Sequence, residues 1–206
     1  MASIAFVTLE AADPAAATRF TTTVFGSDAW LRLRASETAT TGFRGFTLSL
    51  IVSQPATVDG LISAALDAGA TAVKPAAKSL WGYGGVVQDP TGAIWTLASS
   101  SKKDTGPASR QIDEVVLQLG VEDVAASKRF YVDRGFSVAK SYGRRYVEFA
   151  TPSSPVKLSL YKRRALAKVA GVAPEGTGSH RLVIGGDAGS FTDPDGFVWE
   201  ATPGGE

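Results

Sequence analysis

Alternating apolar and polar positions recur in short runs along the whole chain, and this pattern predicts mostly antiparallel β-strands. Each half also opens with an apolar strand, an aspartate and an Ala-rich amphipathic segment, which predicts a strand followed by a helix. Asp13, with Pro14 behind it, and Asp123 are placed to cap these two helices at their N-termini. Gly26 and Gly135 are placed to end them. The pattern therefore predicts repeated strand–helix–strand units.

Two such units are predicted in each half, and one unit of each pair is short. In the last unit the strand "HRLVIGG" is followed directly by "SFTDPDG", which leaves no room for a helix. Alternation along that strand places His180 and Leu182 on one face and Arg181 on the other. A polar linker that contains Gly and Pro separates the halves. We therefore expect two domains, at residues 1–103 and 110–206, each with its own curved sheet and with helices on the convex side.

The composition excludes several classes of function. The 206 residues carry a formal net charge of +1, and 44% of them are hydrophobic, which is typical of a globular protein. The absence of cysteine excludes disulfides, thiolate metal sites and cysteine nucleophiles. The basic clusters are too short to favour nucleic acid, and no stretch approaches the roughly 20 apolar residues of a membrane span. Because the start also lacks the pattern of a signal peptide, we expect a cytoplasmic protein without a nucleic-acid or membrane partner.

Two near-copies of one pattern end the two halves, "GVVQDPTGAIWTLAS" and "SFTDPDGFVWEAT". Each predicts a strand, an Asp-Pro-x-Gly turn and a second strand that contains a Trp. Four residues after the turn glycine, the first copy has Thr96 and the second has Glu200. Together with the strand–Asp–helix opening that runs from Asp123 to Phe130 and Tyr131, these features resemble the vicinal oxygen chelate superfamily. That superfamily includes glyoxalase I, bleomycin-resistance proteins and extradiol dioxygenases.

The resemblance implies an α+β fold in which paired βαβββ units, some of them truncated here, form curved, mostly antiparallel sheets around a cleft. Two pairs of units imply two clefts. In the superfamily, side chains from the first and last strands of both paired units hold a metal in the cleft. The matching positions of the first half hold Phe6, Thr47 and Thr96, so we expect no metal there.

The second half keeps some of the metal-ligand positions of the resemblance. His180, the only histidine of the chain, and Glu200 match two of them, and Leu158 matches a third. The fourth is matched by Glu114 when counted from the start of its strand, or by Val116 when counted back from the following aspartate. With Glu114, the ligand set would be borderline for Fe(II) or Mn(II) and weak for Zn(II). Since Leu158 is no ligand, we expect no cofactor, or a weakly held divalent metal in the second domain.

The inward positions expected in the second half are mostly apolar. With only His180 and Glu200 polar among them, they suit a hydrophobic or aromatic ligand. Trp81 and Tyr83, in the loop "SLWGYGG", are candidates for a rim over a cleft, and a hydrophobic plug between the halves is the alternative. The apolar candidates for ligand contact are Leu158, Leu160, Leu182 and Val198.

Two functions follow from the resemblance. The first is a binding protein of the bleomycin-resistance kind, which sequesters a drug or natural product and so gives antibiotic resistance. The second is an enzyme of the glyoxalase or dioxygenase type, a lyase, isomerase or dioxygenase, with His180 and Glu200 as catalytic residues, with or without a metal. The loss of most metal ligands favours the first. The expected partners are a small-molecule ligand and, in a homodimer, a second copy of the chain.

Overall fold

The computed structural model describes residues 1–26, 29–152 and 154–202, and its elements form four successive units. The first unit contains β1 (Ile4–Ala11), α1 (Pro14–Phe25), β2 (Leu31–Ala35) and β3 (Thr40–Gly42). The second contains β4 (Phe46–Ile51), α2 (Pro55–Asp67), β5 (Thr71–Ser79), β6 (Gly82–Gln88) and β7 (Ile94–Ser99). The third contains β8 (Glu114–Val121), α3 (Val124–Val132), β9 (Ser137–Ser141), β10 (Tyr146–Ala150) and β11 (Lys157–Lys162). The fourth contains α4 (Arg163–Ala170), β12 (Gly176–Gly178), β13 (Leu182–Gly186), β14 (Phe191–Thr192) and β15 (Val198–Ala201).

The predicted N-terminal caps of both helices are confirmed. The carboxylate of Asp13 accepts a hydrogen bond from the backbone N–H of Ala16 at 2.8 Å, which satisfies a free donor of the first turn of α1. Asp123 accepts from two such donors at the start of α3. Gly26 and Gly135, both at φ 89°, follow the two helices in a conformation that favours glycine.

The strands form two large sheets and a small ribbon, which confirms the predicted α+β class. The eight-stranded sheet has the order β5-β6-β7-β4-β8-β11-β10-β9, and the five-stranded sheet has the order β14-β15-β13-β1-β2. β3 and β12 form the ribbon. The second unit therefore shares one sheet with the third, and the first unit shares the other with the fourth.

This pairing corrects the expectation that each half would build its own sheet. β4 and β8, which lie on opposite sides of the linker, pair antiparallel along their whole length. Their apolar positions coincide, with Leu48 opposite Leu117 and Leu50 opposite Val115, so the pairing buries one continuous apolar row. The division into residues 1–103 and 110–206 therefore describes the sequence repeat and not the sheets.

The main core lies between the sheets and the helices α1, α2 and α3. Trp95 and Trp199 are 0% and 1% exposed. The Trp95 indole N–H donates to Asp89 of the first Asp-Pro-x-Gly turn at 2.9 Å. In the second copy the Tyr131 hydroxyl links the turn aspartate to the tryptophan. It donates to Asp193 at 2.7 Å and accepts from the Trp199 indole at 3.2 Å. Each turn aspartate thus connects its turn to the core.

The helix α4 lies on the opposite face of the eight-stranded sheet from α2 and α3. It crosses β8 at Gly120, where a Cβ would lie 3.1 Å from the Cα of Arg163, so the strand leaves room for the helix only because it has no side chain there. Leu166, Ala167 and Ala170 of α4 are buried in a second, smaller core cluster with Val86. None of the helices in the described parts of the chain is long and apolar enough to cross a membrane.

Candidate functional site

We call the face of the eight-stranded sheet opposite α2 and α3 the open face, because α4 covers only part of it. The strand register places Thr96 beside Ser49, and Ser49 beside Val116, in one row across this face. Thr47 lies one step along β4, opposite Gln118. The open face therefore brings together positions of the two halves that the sequence assigned to separate clefts.

The polar side chains at the centre of the open face are uncharged. The Thr47 hydroxyl, fully buried, donates to the side-chain oxygen of Gln118 at 2.8 Å. Thr96 is 9% exposed, and its hydroxyl has no hydrogen-bond partner among the described residues. A buried hydroxyl without a partner destabilises a protein by roughly 1–3 kcal/mol.

Glu114 and Val116, the two alternatives for one metal position, both lie on the open face because they are two residues apart on β8. Both line a cavity of about 190 Å³ at the junction of β4, β8 and β10, which we call the polar cavity. Glu114 is paired there with Lys157, with Oε2 and Nζ 2.5 Å apart.

The Tyr146 phenol adds a hydrogen-bond donor to the polar cavity. Its hydroxyl donates to Glu148 at 2.9 Å, and Lys140 lies 3.5 Å from the other oxygen of that carboxylate. Burial, reinforced by the bond to Glu148, raises the pKa of Tyr146 well above its ordinary value. The phenol therefore stays protonated and acts as a donor across the physiological range.

A second cavity, of about 440 Å³, adjoins the polar cavity because Thr96 and Ser49 are neighbours in the register. We call it the apolar cavity. It lies over β5, β6 and β7 and extends to α4. The residues that line it include Lys74, Trp81, Val86, Thr96 and Val169.

Both predicted rim residues border the apolar cavity. Trp81 lies at the turn between β5 and β6 and is 88% exposed. Tyr83 borders the cavity as well, but its hydroxyl donates to Asp59 of α2 at 2.7 Å, on the other face of the sheet. The bond to Asp59 raises the pKa of Tyr83. Trp81 is therefore free to contact a ligand, whereas the Tyr83 phenol is tied to a helix.

The five-stranded sheet carries a charged cluster of three residues. Arg34 on β2 pairs with Glu10 on β1 at 2.8 Å and with Glu200 on β15 at 3.0 Å. The hydrogen bonds to the two glutamates raise the pKa of Arg34 further. Phe6 lies over Gly185 on the same face, and the guanidinium of Arg32 stacks on its ring at 3.4 Å. The charge of Glu200 is thus neutralised by Arg34, whereas Thr96, its counterpart in the first half, is uncharged.

His180 precedes β13, and both nitrogens of its ring lie against backbone carbonyls. Nδ1 is 2.5 Å from the oxygen of Arg44, and Nε2 is 3.0 Å from the oxygen of Asp195. The ring stacks on Phe197 with centroids 4.0 Å apart. With Glu10 and Arg34, it borders a cavity of about 410 Å³. No hydrogen bond joins it to Glu200 among the described residues.

The predicted metal set is not assembled. His180 precedes β13 of the five-stranded sheet and Glu200 lies on β15 of the same sheet, whereas Glu114 lies in the eight-stranded sheet. Within residues 1–26, 29–152 and 154–202, no three His, Asp or Glu side chains form a group that could hold a metal ion. On the open face, Thr47, Thr96 and Val116 offer two hydroxyls and an aliphatic side chain, which do not fit a divalent metal that prefers carboxylates and imidazoles.

Three of the four predicted apolar contacts are buried in the core. Leu158 and Leu160 are fully buried in the core on the helix side, because β11 pairs with β8 so that Ser159, and not Leu158, faces Gln118 on the open face. Leu182 also belongs to the core, at 3% exposed, although it borders the cavity beside His180. The reason is Arg181, whose φ of 49° interrupts the alternation on which the prediction rested.

Val198 is the fourth of these contacts, and it lies where a ligand could reach it. It is 40% exposed and borders the cavity beside His180. Several side chains of the open face were missed by the sequence argument because their position depends on α4 and on the pairing of β4 with β8. These are Lys74, Val86, Gln118, Tyr146, Lys157 and Val169.

Comparisons with known proteins agree with this architecture. No family model matches the chain, and no curated protein matches it in sequence. Among solved structures it is similar to glyoxalase I from Zea mays, with 13% identity over 98% of this chain and 92% of that one and a TM-score of 0.63. It is also similar to a putative dioxygenase from Bacillus subtilis subsp. subtilis str. 168, with 11% identity over 94% and 71% of the two chains and a TM-score of 0.53. The protein therefore has the vicinal oxygen chelate fold, which confirms the resemblance seen in the sequence.

Proposed function

We propose that the protein binds a small, largely apolar molecule in the apolar cavity and that it does so without a metal. The observation that carries this proposal is the cavity itself, of about 440 Å³, with the unpartnered buried hydroxyl of Thr96 in its wall. Small-molecule sites combine an apolar lining of this size with a few polar groups that fix the orientation of the ligand. A ligand that hydrogen-bonds to Thr96 would remove the cost of burying that hydroxyl alone.

The donor set supports binding without a metal. Where the superfamily resemblance places metal ligands, Thr47 is bound to Gln118, Val116 is aliphatic and Thr96 is a neutral hydroxyl. The charged groups of the neighbouring polar cavity are already engaged, since Glu114 is paired with Lys157. Neutral hydroxyls orient an organic ligand better than they hold a divalent cation.

Sequestration of a drug or natural product is the role that such binding would serve, as the resemblance to bleomycin-resistance proteins suggests. The alternative, an enzyme that uses His180 and Glu200, has less support. A general base needs a free ring nitrogen, and both nitrogens of His180 lie against carbonyl oxygens. The Glu200 carboxylate is paired with Arg34.

The proposal is tested by filling the apolar cavity from α4. Val169 lines the cavity and is 51% exposed, so a Val169→Trp substitution can project into the cavity without disturbing the core. The matched control is Val132→Trp, at a similarly exposed valine of α3 that borders none of the cavities described above. We expect V169W to weaken binding of the neutral dye N-phenyl-1-naphthylamine, followed by its fluorescence, by at least about tenfold.

V132W should bind the dye like the native protein, and EDTA should leave the affinity of all three proteins unchanged. Equal affinity of the native protein and V169W would place dye binding elsewhere and contradict the proposed site. Loss of binding after chelation would contradict a metal-free site.

A further inference from the structure

We infer that the ligand of the apolar cavity carries a neutral, polyhydroxylated ring, a sugar, and that this ring binds in the polar cavity. This inference rests on the proposed function and adds the chemical class of the ligand. Its first support is the position of the two cavities on the open face. Thr96 of the apolar cavity is the register neighbour of Ser49, and Ser49 is the register neighbour of Val116 in the polar cavity. The row from Thr96 to Val116 spans two strand spacings, roughly 10 Å, so an aromatic group beside Thr96 places a directly attached ring over Ser49 and Val116.

The charges of the polar cavity are balanced. Glu114 is paired with Lys157. Glu148 lies 3.5 Å from Lys140 and accepts a hydrogen bond from the hydroxyl of Tyr146. Each carboxylate therefore has one ammonium group beside it. An acidic ligand group would be repelled by the two glutamates and a basic one by the two lysines, so the cavity favours a group without charge.

The polar cavity still offers hydrogen-bonding groups to a ligand. Ser49 lines it and is only 5% exposed, but its hydroxyl forms no hydrogen bond with the described part of the chain. Gln118 uses its side-chain oxygen for Thr47, and its amide N–H groups bond to none of the described residues. Glu114 uses one of its two oxygens for Lys157. These groups include both donors and acceptors. Because a hydroxyl donates and accepts, a ligand with several hydroxyls satisfies them together.

The sizes and linings of the two cavities fit the two parts of such a ligand. The polar cavity, of about 190 Å³, has the volume of roughly six water molecules at about 30 Å³ each, which is similar to the volume of one hexose. Ile51 and Val116 add aliphatic surface against which the C–H groups of a sugar ring can pack. In the apolar cavity, Gly84 and Ala98 are register partners on β6 and β7 and leave nearly bare backbone, on which an aromatic ring can lie flat.

Three naphthalene derivatives test this inference by displacing N-phenyl-1-naphthylamine, with which they share the naphthalene ring. 2-Methoxynaphthalene has no sugar, 2-naphthyl β-D-glucoside has a neutral sugar, and 2-naphthyl β-D-glucuronide has a sugar with a carboxylate. We expect the native protein to bind the glucoside at least about tenfold more tightly than the methoxy compound. The glucuronide should bind less tightly than the glucoside, because each ammonium group that could bind its carboxylate is already neutralised by a glutamate.

Two substitutions locate the sugar. Val116→Phe fills the polar cavity, so it should reduce the affinity for the glucoside to that for the methoxy compound and leave the methoxy compound unaffected. Ser49→Ala removes one hydrogen bond to the sugar and should weaken only the two glycosides, by about fivefold. The matched control is Val132→Phe, at an exposed valine of α3 that borders none of the cavities described above, and it should behave like the native protein.

The outcomes separate this inference from the proposed function. If V169W prevents binding of all three compounds, but the native protein binds the glucoside no more tightly than the methoxy compound, the apolar cavity binds ligands without a sugar and only the inference fails. It also fails if the preference for the glucoside survives V116F, or if the glucuronide binds more tightly than the glucoside, because the polar cavity then does not hold a neutral sugar. If V169W leaves the binding of all three compounds unchanged, the proposed function fails, and the inference fails with it.

Discussion

At the scale of single residues, Thr96 is where stability and ligand binding conflict most directly. Its hydroxyl is buried without a partner, so Thr96→Val, which keeps the shape and removes the hydroxyl, should raise the free energy of unfolding by about 1 kcal/mol. The same substitution should weaken binding of N-phenyl-1-naphthylamine, whose N–H the hydroxyl can accept. Urea unfolding and dye titration of one preparation measure both effects.

Thr96→Ser is the control for this substitution, because it keeps the hydroxyl and removes only a methyl group. It should not be more stable than the native protein. A Thr96→Val protein that is less stable than native would show that the hydroxyl has a partner in the folded protein. One that binds the dye equally well would show that the hydroxyl has no part in ligand binding.

The identity of the polar residues was easier to predict than their surroundings. Alternation shows which residues share a face of a strand, but it does not show which face is open. For Thr96 and Glu200 the preceding Asp-Pro-x-Gly turn fixes where the strand begins, and each residue lies on the face of its own sheet that was predicted for it. Leu158 follows no such turn and was assigned one residue away from Ser159, which faces Gln118.

At the scale of elements, His180 connects segments that precede strands of different sheets. Its ring lies against the carbonyl of Arg44, which precedes β4, and against that of Asp195 in the turn before β15. His180→Ala removes these contacts and the stacking on Phe197. We expect it to lower the free energy of unfolding by about 1–3 kcal/mol and to leave dye affinity unchanged.

Thermal or urea unfolding together with dye titration tests this structural role. His180→Asn is a useful comparison, because its amide can donate to one carbonyl and should recover part of the lost stability. A His180→Ala protein with native stability and no dye binding would instead return His180 to the ligand site.

The helix α4 illustrates what sequence periodicity cannot decide about an element. Its buried residues, Leu166, Ala167 and Ala170, define an apolar side and so predict a helix. They do not show which face of a sheet it covers. That depends on Gly120, a distant position where β8 carries no side chain, and on Lys74, which holds the end of the helix from β5. The cavities follow from this placement and could not be predicted from either segment alone.

At the scale of the whole molecule, the sequence repeat predicted the units and the α+β class but not which units pair. The edge strands of each unit carry unpaired backbone N–H and C=O groups, which can pair with any similar strand. The local sequence pattern is therefore compatible with several arrangements of the four units. The observed pairing of β4 with β8 matches their apolar rows, and it places positions of both halves on one open face. Because β4 pairs with β8, the proposed ligand site is shared between the two halves.

The shared sheets make a prediction about cutting the chain in its linker. Asp104 accepts a hydrogen bond from the backbone N–H of Ala56 at the start of α2, so the linker belongs with the first half and the cut is best placed after Arg110. Fragments 1–110 and 111–206 would each expose an unpaired apolar edge, β4 in one and β8 in the other. We expect neither fragment alone to unfold cooperatively, as followed by circular dichroism.

Co-expressed, the two fragments should copurify through a tag on one of them and regain a cooperative transition. Leu117→Pro in the second fragment supplies the control, since proline in the middle of β8 removes a backbone donor from a strand that is paired on both sides and should prevent copurification. Cooperative unfolding of either fragment by itself would mean that the halves at residues 1–103 and 110–206 are independent domains after all. Because the sheets cross the linker, we expect the reassembled pair, and not either half, to bind the dye.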